Sequence, residues 1–169
     1  MTHKPILDAG LALLPSNVDT RAARVHMLAF GLQESLMKHR YQVLNGGGKG
    51  PARGLWQFER GGGVLGVLQH PQSRVHARRV CDARGVEPDS RSVWERMETD
   101  DALACAFARL LMWTDLLALP AATDAEGAWR LYLRTWRPGA YTNGSPETKQ
   151  SLHNKFTKNH RAAQLEILK

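Results

Sequence analysis

Between residues 20 and 37 the apolar side chains Ala22, Ala23, Val25, Met27, Leu28, Ala29, Phe30 and Leu32 fall on nearly every side of a helix. A surface helix shows one apolar stripe, whereas a helix apolar most of the way round has to pass through the middle of a domain. The run Asn17-Val18-Asp19-Thr20 supplies N-cap residues for it. The rest of the chain must therefore wrap around this segment.

Beyond it helical patterning dominates, and no alternating strand pattern extends past a few residues. Pro71 and Gly85 bracket a helix over residues 72–84. Glu87-Pro88-Asp89-Ser90 caps a short one ending near Met97. Thr99-Asp100 opens a core helix with Leu103, Phe107, Leu110, Leu111 and Trp113 inward. Thr123-Asp124-Ala125-Glu126 reads as a capping box for a helix reaching Trp136, ended by Arg137-Pro138-Gly139. Ser145-Pro146 starts the last helix, with Leu152, Phe156, Ala163 and Ile167 as its stripe. Residues 40–58 break the pattern as a Gly-rich excursion, with turn signals at Gly46-Gly47-Gly48 and Gly50-Pro51. Gly61-Gly62-Gly63 then opens a short helix carrying Val64, Leu65, Val67 and Leu68. The expectation is a mostly α single domain over residues 1–169, with about seven helices and one small loop or β-hairpin. No repeat, low-complexity tract or linker divides it.

A chain of 169 residues with 43% hydrophobic and 23% charged residues can bury a sizeable core. The net charge of +7 favours an anionic partner: nucleic acid, a cell wall or an acidic membrane surface. Within it, Arg74 and Arg78 share a helix face, with Arg79 beside them. Cys81 and Cys105 form no C-x-x-C pair; one disulfide is arithmetically allowed, but free thiols are expected. His70, His76, His153 and His160 lack ligand spacing, so no metal site and no cofactor is expected. The glycine triplet at residues 61–63 lacks the Lys-Ser/Thr of a phosphate loop. The N-terminal residues show neither a charged start followed by an apolar core nor a span long enough for membrane insertion.

The residues that carry chemistry sit at the end of the central helix and just beyond it. Glu34-Ser35 closes the apolar run, and Gly54-Leu55-Trp56-Gln57-Phe58 comes after the glycine-rich loop. A carboxyl group near a helix C-terminus among apolar neighbours is held toward its neutral form by desolvation and by the helix dipole. A carboxyl kept protonated near neutral pH is suited to general-acid work on a glycosidic oxygen.

This constellation resembles the catalytic core of soluble lytic transglycosylases within the lysozyme-like superfamily. Their pattern runs Glu-Ser, a loop, then Gly-x-x-Gly-Leu-Met-Gln. Here Trp56 stands for the Met, the first glycine is absent or displaced to Gly50, and the loop is longer. The resemblance implies a lysozyme-like fold and cleavage of peptidoglycan between N-acetylmuramic acid and N-acetylglucosamine. It implies Glu34 as the lone catalytic acid, Ser35 as a brace for the loop, and a sugar subsite formed with Gly54, Leu55, Trp56 and Gln57. A third family element, a Tyr-Asn-Ala-Gly-like motif, corresponds to residues 129–139. That makes Tyr132 the tyrosine reaching the acid and Trp136 and Arg137 cleft candidates, although no Asn follows Tyr132. Glu59 is the nearest second carboxylate, and nothing in the sequence specifies its participation.

The resulting expectation is a monomeric bacteriophage or prophage enzyme, present in the host cytoplasm before release or in the virion, acting on glycan strands at the cell wall. Whether it forms an anhydro or a hydrolysed end stays open. The rival is a non-catalytic basic binding or phage structural protein of lysozyme-like shape, with nucleic acid or cell wall as its partner.

Overall fold

The central segment forms helix α2, Arg21–Ser35, and its apolar wrapping has the expected consequence: Val25, Met27, Leu28, Ala29 and Phe30 are fully buried. The computed structural model describes residues 2–169. Thr20 caps α2, its hydroxyl accepting from the Ala23 amide at 3.1 Å. At the other end the Met37 amide reaches back to the Gly31 carbonyl at 3.3 Å, with Leu36 and Met37 both left-handed.

Nine α-helices and one three-stranded sheet make up the described residues. Helix α1, Lys4–Leu11, precedes a short 3₁₀ turn at Ser16–Val18. After α2 come strands β1, Tyr41–Val43, β2, Lys49–Arg53, and β3, Phe58–Glu59, antiparallel in the order β1-β2-β3. Arg53 is the pivot of the register, paired with Tyr41 on one side and Phe58 on the other. A π-helical turn at Arg60–Val64 leads into α3, Leu65–Gln69. Next are α4, Arg74–Arg84, α5, Ser90–Arg96, and α6, Asp101–Trp113. The chain ends with α7, Ala125–Trp136, α8, Gly139–Thr142, and α9, Pro146–Ile167.

The buried side chains form one contiguous cluster. Helices α2 and α6 supply its middle, and α6 buries every residue from Leu103 to Met112. Helix α9 lies along α2 through Phe156, His160 and Ala163. His26 and His160, both enclosed, stack between them and bond at 3.2 Å. His26 Nε2 donates to the Pro120 carbonyl at 2.9 Å, so its Nδ1 is left to accept from His160.

Several sequence expectations need correction. The helix count of about seven falls short because α1 and α8 carry weak signals. In α1, Asp8 and Gly10 interrupt the apolar run, yet Asp8 faces solvent near Arg24 while Leu7, Gly10 and Leu11 pack on α6. The capping box at residues 123–126 is not made. Asp124 is the N-cap, accepting from the Gly127 amide at 2.7 Å, and Glu126 instead meets His153. The excursion at residues 40–58 holds a third short strand beyond a hairpin. The expectation of free thiols needs no correction: Cys81 and Cys105 are separate and buried, both pushed up by burial, Cys81 to about 11.

Candidate functional site

The site is assembled where the end of α2 meets the sheet and the C-terminal end of α7. A cleft of about 1190 Å³ opens there, with Glu34 in its wall. Gln42, Gln57, Phe58 and Glu59 line the sheet side, and Trp136, Arg137 and Pro138 the α7 side. The glycines at residues 61–63 and the loop Thr114 to Leu117 complete its rim.

Glu34 occupies the last turn of α2 and is half-buried. The Tyr132 hydroxyl, from α7, donates to Glu34 Oε1. Burial drives the Glu34 carboxyl up to about 7, against the opposing pull of that hydrogen bond and of the Lys155 charge; the Glu59 charge adds a smaller upward push. Tyr132 is buried as well, so its own proton is held more tightly than usual by burial and by the neighbouring carboxyl. The pair is surrounded by rings: Phe30 lies edge-on to both Tyr132 and Trp136, and Phe156 stacks on Tyr132. A carboxyl enclosed by aromatic faces, yet open to a cleft on one side, retains a proton near neutral pH and can deliver it to a ligand.

The turn between β2 and β3 faces Glu34 and is pinned from below. The Ser35 hydroxyl donates to the Leu55 carbonyl at 2.6 Å. Trp136 Nε1 donates to the Trp56 carbonyl at 3.0 Å. Trp56 Nε1 donates to the Met27 carbonyl at 2.8 Å, deep in α2. Gly31 makes room for this: a Cβ there would stand 2.2 Å from Met37 Sδ and 3.3 Å from Trp56 Nε1. Gly54 is required twice, by its φ of +76° and by Ala104 and the Met97 carbonyl, each 3.2 Å from where a Cβ would sit. Separate parts of the chain thus hold one short turn, Gly54 to Gln57, and Gln57 is the residue it presents to the cleft. The Gln57 Nε2 donates to the Gly54 carbonyl at 3.0 Å, which fixes the amide against its own turn.

Of the residues singled out from sequence, Glu34, Gln57, Trp136 and Arg137 line the cleft. Tyr132 stands directly behind Glu34. Gly54, Leu55 and Trp56, expected to form the subsite surface, are buried beneath it, as is Ser35, which bonds the turn at the Leu55 carbonyl. They act as its scaffold, because a turn that must be rigid turns its apolar and hydroxyl side chains inward. Glu59 is exposed on the same cleft. Gln42, Asp115, Leu116 and Leu117 also line it and were not anticipated. The two leucines come after the apolar run of α6 and read in sequence as its continuation.

A backbone signal absent from any composition marks the site. The four non-glycine residues with positive φ among those described are Leu36, Met37, Gln57 and Arg137. Two come directly after Glu34-Ser35, and two line the cleft. Such conformations cost of order 1–3 kcal/mol each and cluster where geometry serves a site.

Among the described residues no group of three His, Cys, Asp or Glu gathers as a metal site. None of their helices is long and apolar enough to cross a membrane. Comparison with protein-family models, with curated proteins and with solved structures yields no significant match.

Proposed function

We propose that the chain is a glycosidase of the lysozyme-like type that cleaves the β-1,4 bond between N-acetylmuramic acid and N-acetylglucosamine in peptidoglycan, with Glu34 as its general acid. The observation that carries this reading is a half-buried carboxyl with its pKa raised to about 7, hydrogen-bonded by Tyr132 and opening onto a cleft of about 1190 Å³. A cleft of that size has room for several sugar rings, and it is walled by polar amides and an indole.

In the first step Glu34 gives its proton to the glycosidic oxygen as the C1–O bond breaks, leaving positive charge on the sugar ring. The resulting carboxylate is stabilised by the Tyr132 hydroxyl and sits close to that charge. In the second step it takes a proton back from the nucleophile, either the sugar's own 6-hydroxyl or a water. Attack by the hydroxyl closes a 1,6-anhydro ring; attack by water leaves a reducing end. Gln57 offers one amide oxygen to sugar N–H or O–H groups, and Trp136 offers a ring face for an apolar sugar surface. Glu59 lies on the same cleft, where a carboxylate can orient water, which favours keeping hydrolysis among the products. The working site of such an enzyme is the bacterial cell wall.

Turbidity of purified Gram-negative walls tests the reading. The wild type is expected to clear them, and Glu34→Gln to lose clearing by about 100-fold or more while keeping its circular dichroism spectrum. Mass spectrometry of the fragments separates the products, since an anhydro end is one water lighter than a reducing end. A second reading, a basic binding protein without catalysis, draws on Arg74, Arg78 and Arg79, exposed on α4 and outside the ion pairs found among the described residues. Intact walls together with salt-sensitive DNA binding decide for that reading.

A further inference from the structure

We infer that the cleft recognises the acidic, alanine-bearing stem peptide attached to the glycan, through Arg137 and the Leu116-Leu117 lip. This rests on the reading of the site as a peptidoglycan cleft and names the part of the polymer that it selects.

The inference starts from side chains that the catalytic arrangement leaves unused. Leu116 is 97% and Leu117 64% exposed, and both stand on the cleft rim. Single exposed leucines are ordinary, but two adjoining ones at the mouth of a cleft form an apolar surface with nothing over it. They are held outward by construction. Asp115 accepts from the Leu117 amide at 2.9 Å through one oxygen and from Arg134 Nε at 2.6 Å through the other. The Asp115 side chain is itself almost fully buried, so the loop is anchored and cannot fold its leucines inward cheaply.

Arg137 belongs to the same structure. Its Nε donates to the Arg134 carbonyl at 3.2 Å, which ties it to the residue that anchors the lip. Arg134 is neutralised by Asp115, whereas Arg137 has no carboxylate partner within 4.0 Å among the described residues. It also holds a φ of +48° at the end of α7, a position where glycine would be relaxed. A strained residue that keeps a free guanidinium facing a cleft is matched by a carboxylate ligand, which guanidinium binds in forked geometry.

The cleft therefore carries an unpaired cation and two bare leucines, linked through Arg134 and Asp115, with the cation at the end of the helix that carries Tyr132 to the acid. The sugar rings supply no alkyl group large enough to cover this lip, and a MurNAc lactyl group freed of its peptide supplies a carboxylate without one. In peptidoglycan the two occur together where the lactyl group carries its peptide, whose acidic residues bear carboxylates and whose alanines bear methyl groups.

Calorimetry on Glu34→Gln, which holds substrate without turnover, tests this with two soluble probes: a GlcNAc-MurNAc disaccharide carrying its tetrapeptide, and the same disaccharide with its lactyl carboxyl capped as the methylamide in place of the peptide. The peptide-bearing probe is expected to bind about tenfold tighter or better. Adding Arg137→Ala, or separately Leu116→Ser with Leu117→Ser, is expected to bring the two probes within about threefold of each other. Retained circular dichroism in each variant excludes unfolding as the cause. Equal affinity of Glu34→Gln for both probes overturns the inference and leaves the glycosidase reading standing. A peptide preference that survives both sets of substitutions also overturns it. Failure to bind either probe, with wild-type protein leaving walls intact, removes the glycosidase reading and this inference with it.

Discussion

The carboxyl of Glu34 is under two opposed influences, and their balance decides its working range. Burial raises its pKa, and the Tyr132 hydroxyl lowers it by bonding the ionised form. Tyr132→Phe removes only the second. The acid is active while protonated, so activity falls as pH rises through its pKa. The alkaline limb of the pH–rate profile is therefore expected to move upward in Tyr132→Phe by about one unit, the equivalent of one hydrogen bond to a charged group. A downward move of that limb would mean that Tyr132 does something other than stabilise the carboxylate. At this scale Glu34 was legible as a carboxyl at the end of an apolar helix, whereas Gln57 was picked out only through the resemblance of Gly54-Leu55-Trp56-Gln57 to a family motif. Arg137 was legible as a helix terminus, but its left-handed backbone was not, since a non-glycine residue gives no sign in sequence of adopting it. Leu116 and Leu117 were hidden because the exposure of these apolar residues is decided by the loop anchor at Asp115, a tertiary contact to α7 that no local pattern encodes.

Among elements, the β2–β3 turn depends on bonds from separate parts of the chain, and this makes it both precise and vulnerable. Ser35→Ala leaves the buried Leu55 carbonyl without its donor. The expected cost is about 1–3 kcal/mol of stability, read as a lower urea midpoint with an unchanged slope. Wall clearing should fall with it, because Gln57 is positioned through the same turn. A variant as stable as the wild type would show that the Trp136 bond alone suffices to hold the turn. Helices with a clear period or cap were readable: α2, α4, the short α5, α6, α7 and α9 start or stop at the residues their Thr20, Gly85, Asp89, Asp100, Trp136 and Ser145 signals indicate. The four-residue α8 and the two-residue β3 were not, because so short an element takes its form from what it packs against. The choice between Thr123 and Asp124 as cap of α7 was likewise made by tertiary structure, which drew Glu126 toward His153 on α9.

For the molecule as a whole, two buried titrations oppose each other over one pH range. Glu34 has its folded pKa raised from 4.5 to about 7, so the folded state carries no penalty below pH 4.5, an increasing one up to about 7, and a constant one above. The His26–His160 pair, facing Asp124 and Arg109 as well as each other, is held neutral, His160 down to about 4. Its contribution is intact above the unfolded value of 6.5 and is lost as pH falls toward 4. Between these values one group destabilises as pH rises and the other as pH falls, so the wild type should show a shallow stability profile. Glu34→Gln removes the first gradient, and a glutamine oxygen can still accept from Tyr132. The variant is expected to gain on the order of 2 kcal/mol over the wild type at about pH 8, and nothing at about pH 4. Its own stability should then fall visibly as pH drops from 6.5 to about 4, exposing the histidine gradient that Glu34 masks. Urea unfolding of both proteins at intervals from about pH 8 down to about pH 4 checks this. Equal stability of the two at the alkaline end would mean that the carboxylate is solvated where it stands, and that the raised acid on which the chemistry depends is absent.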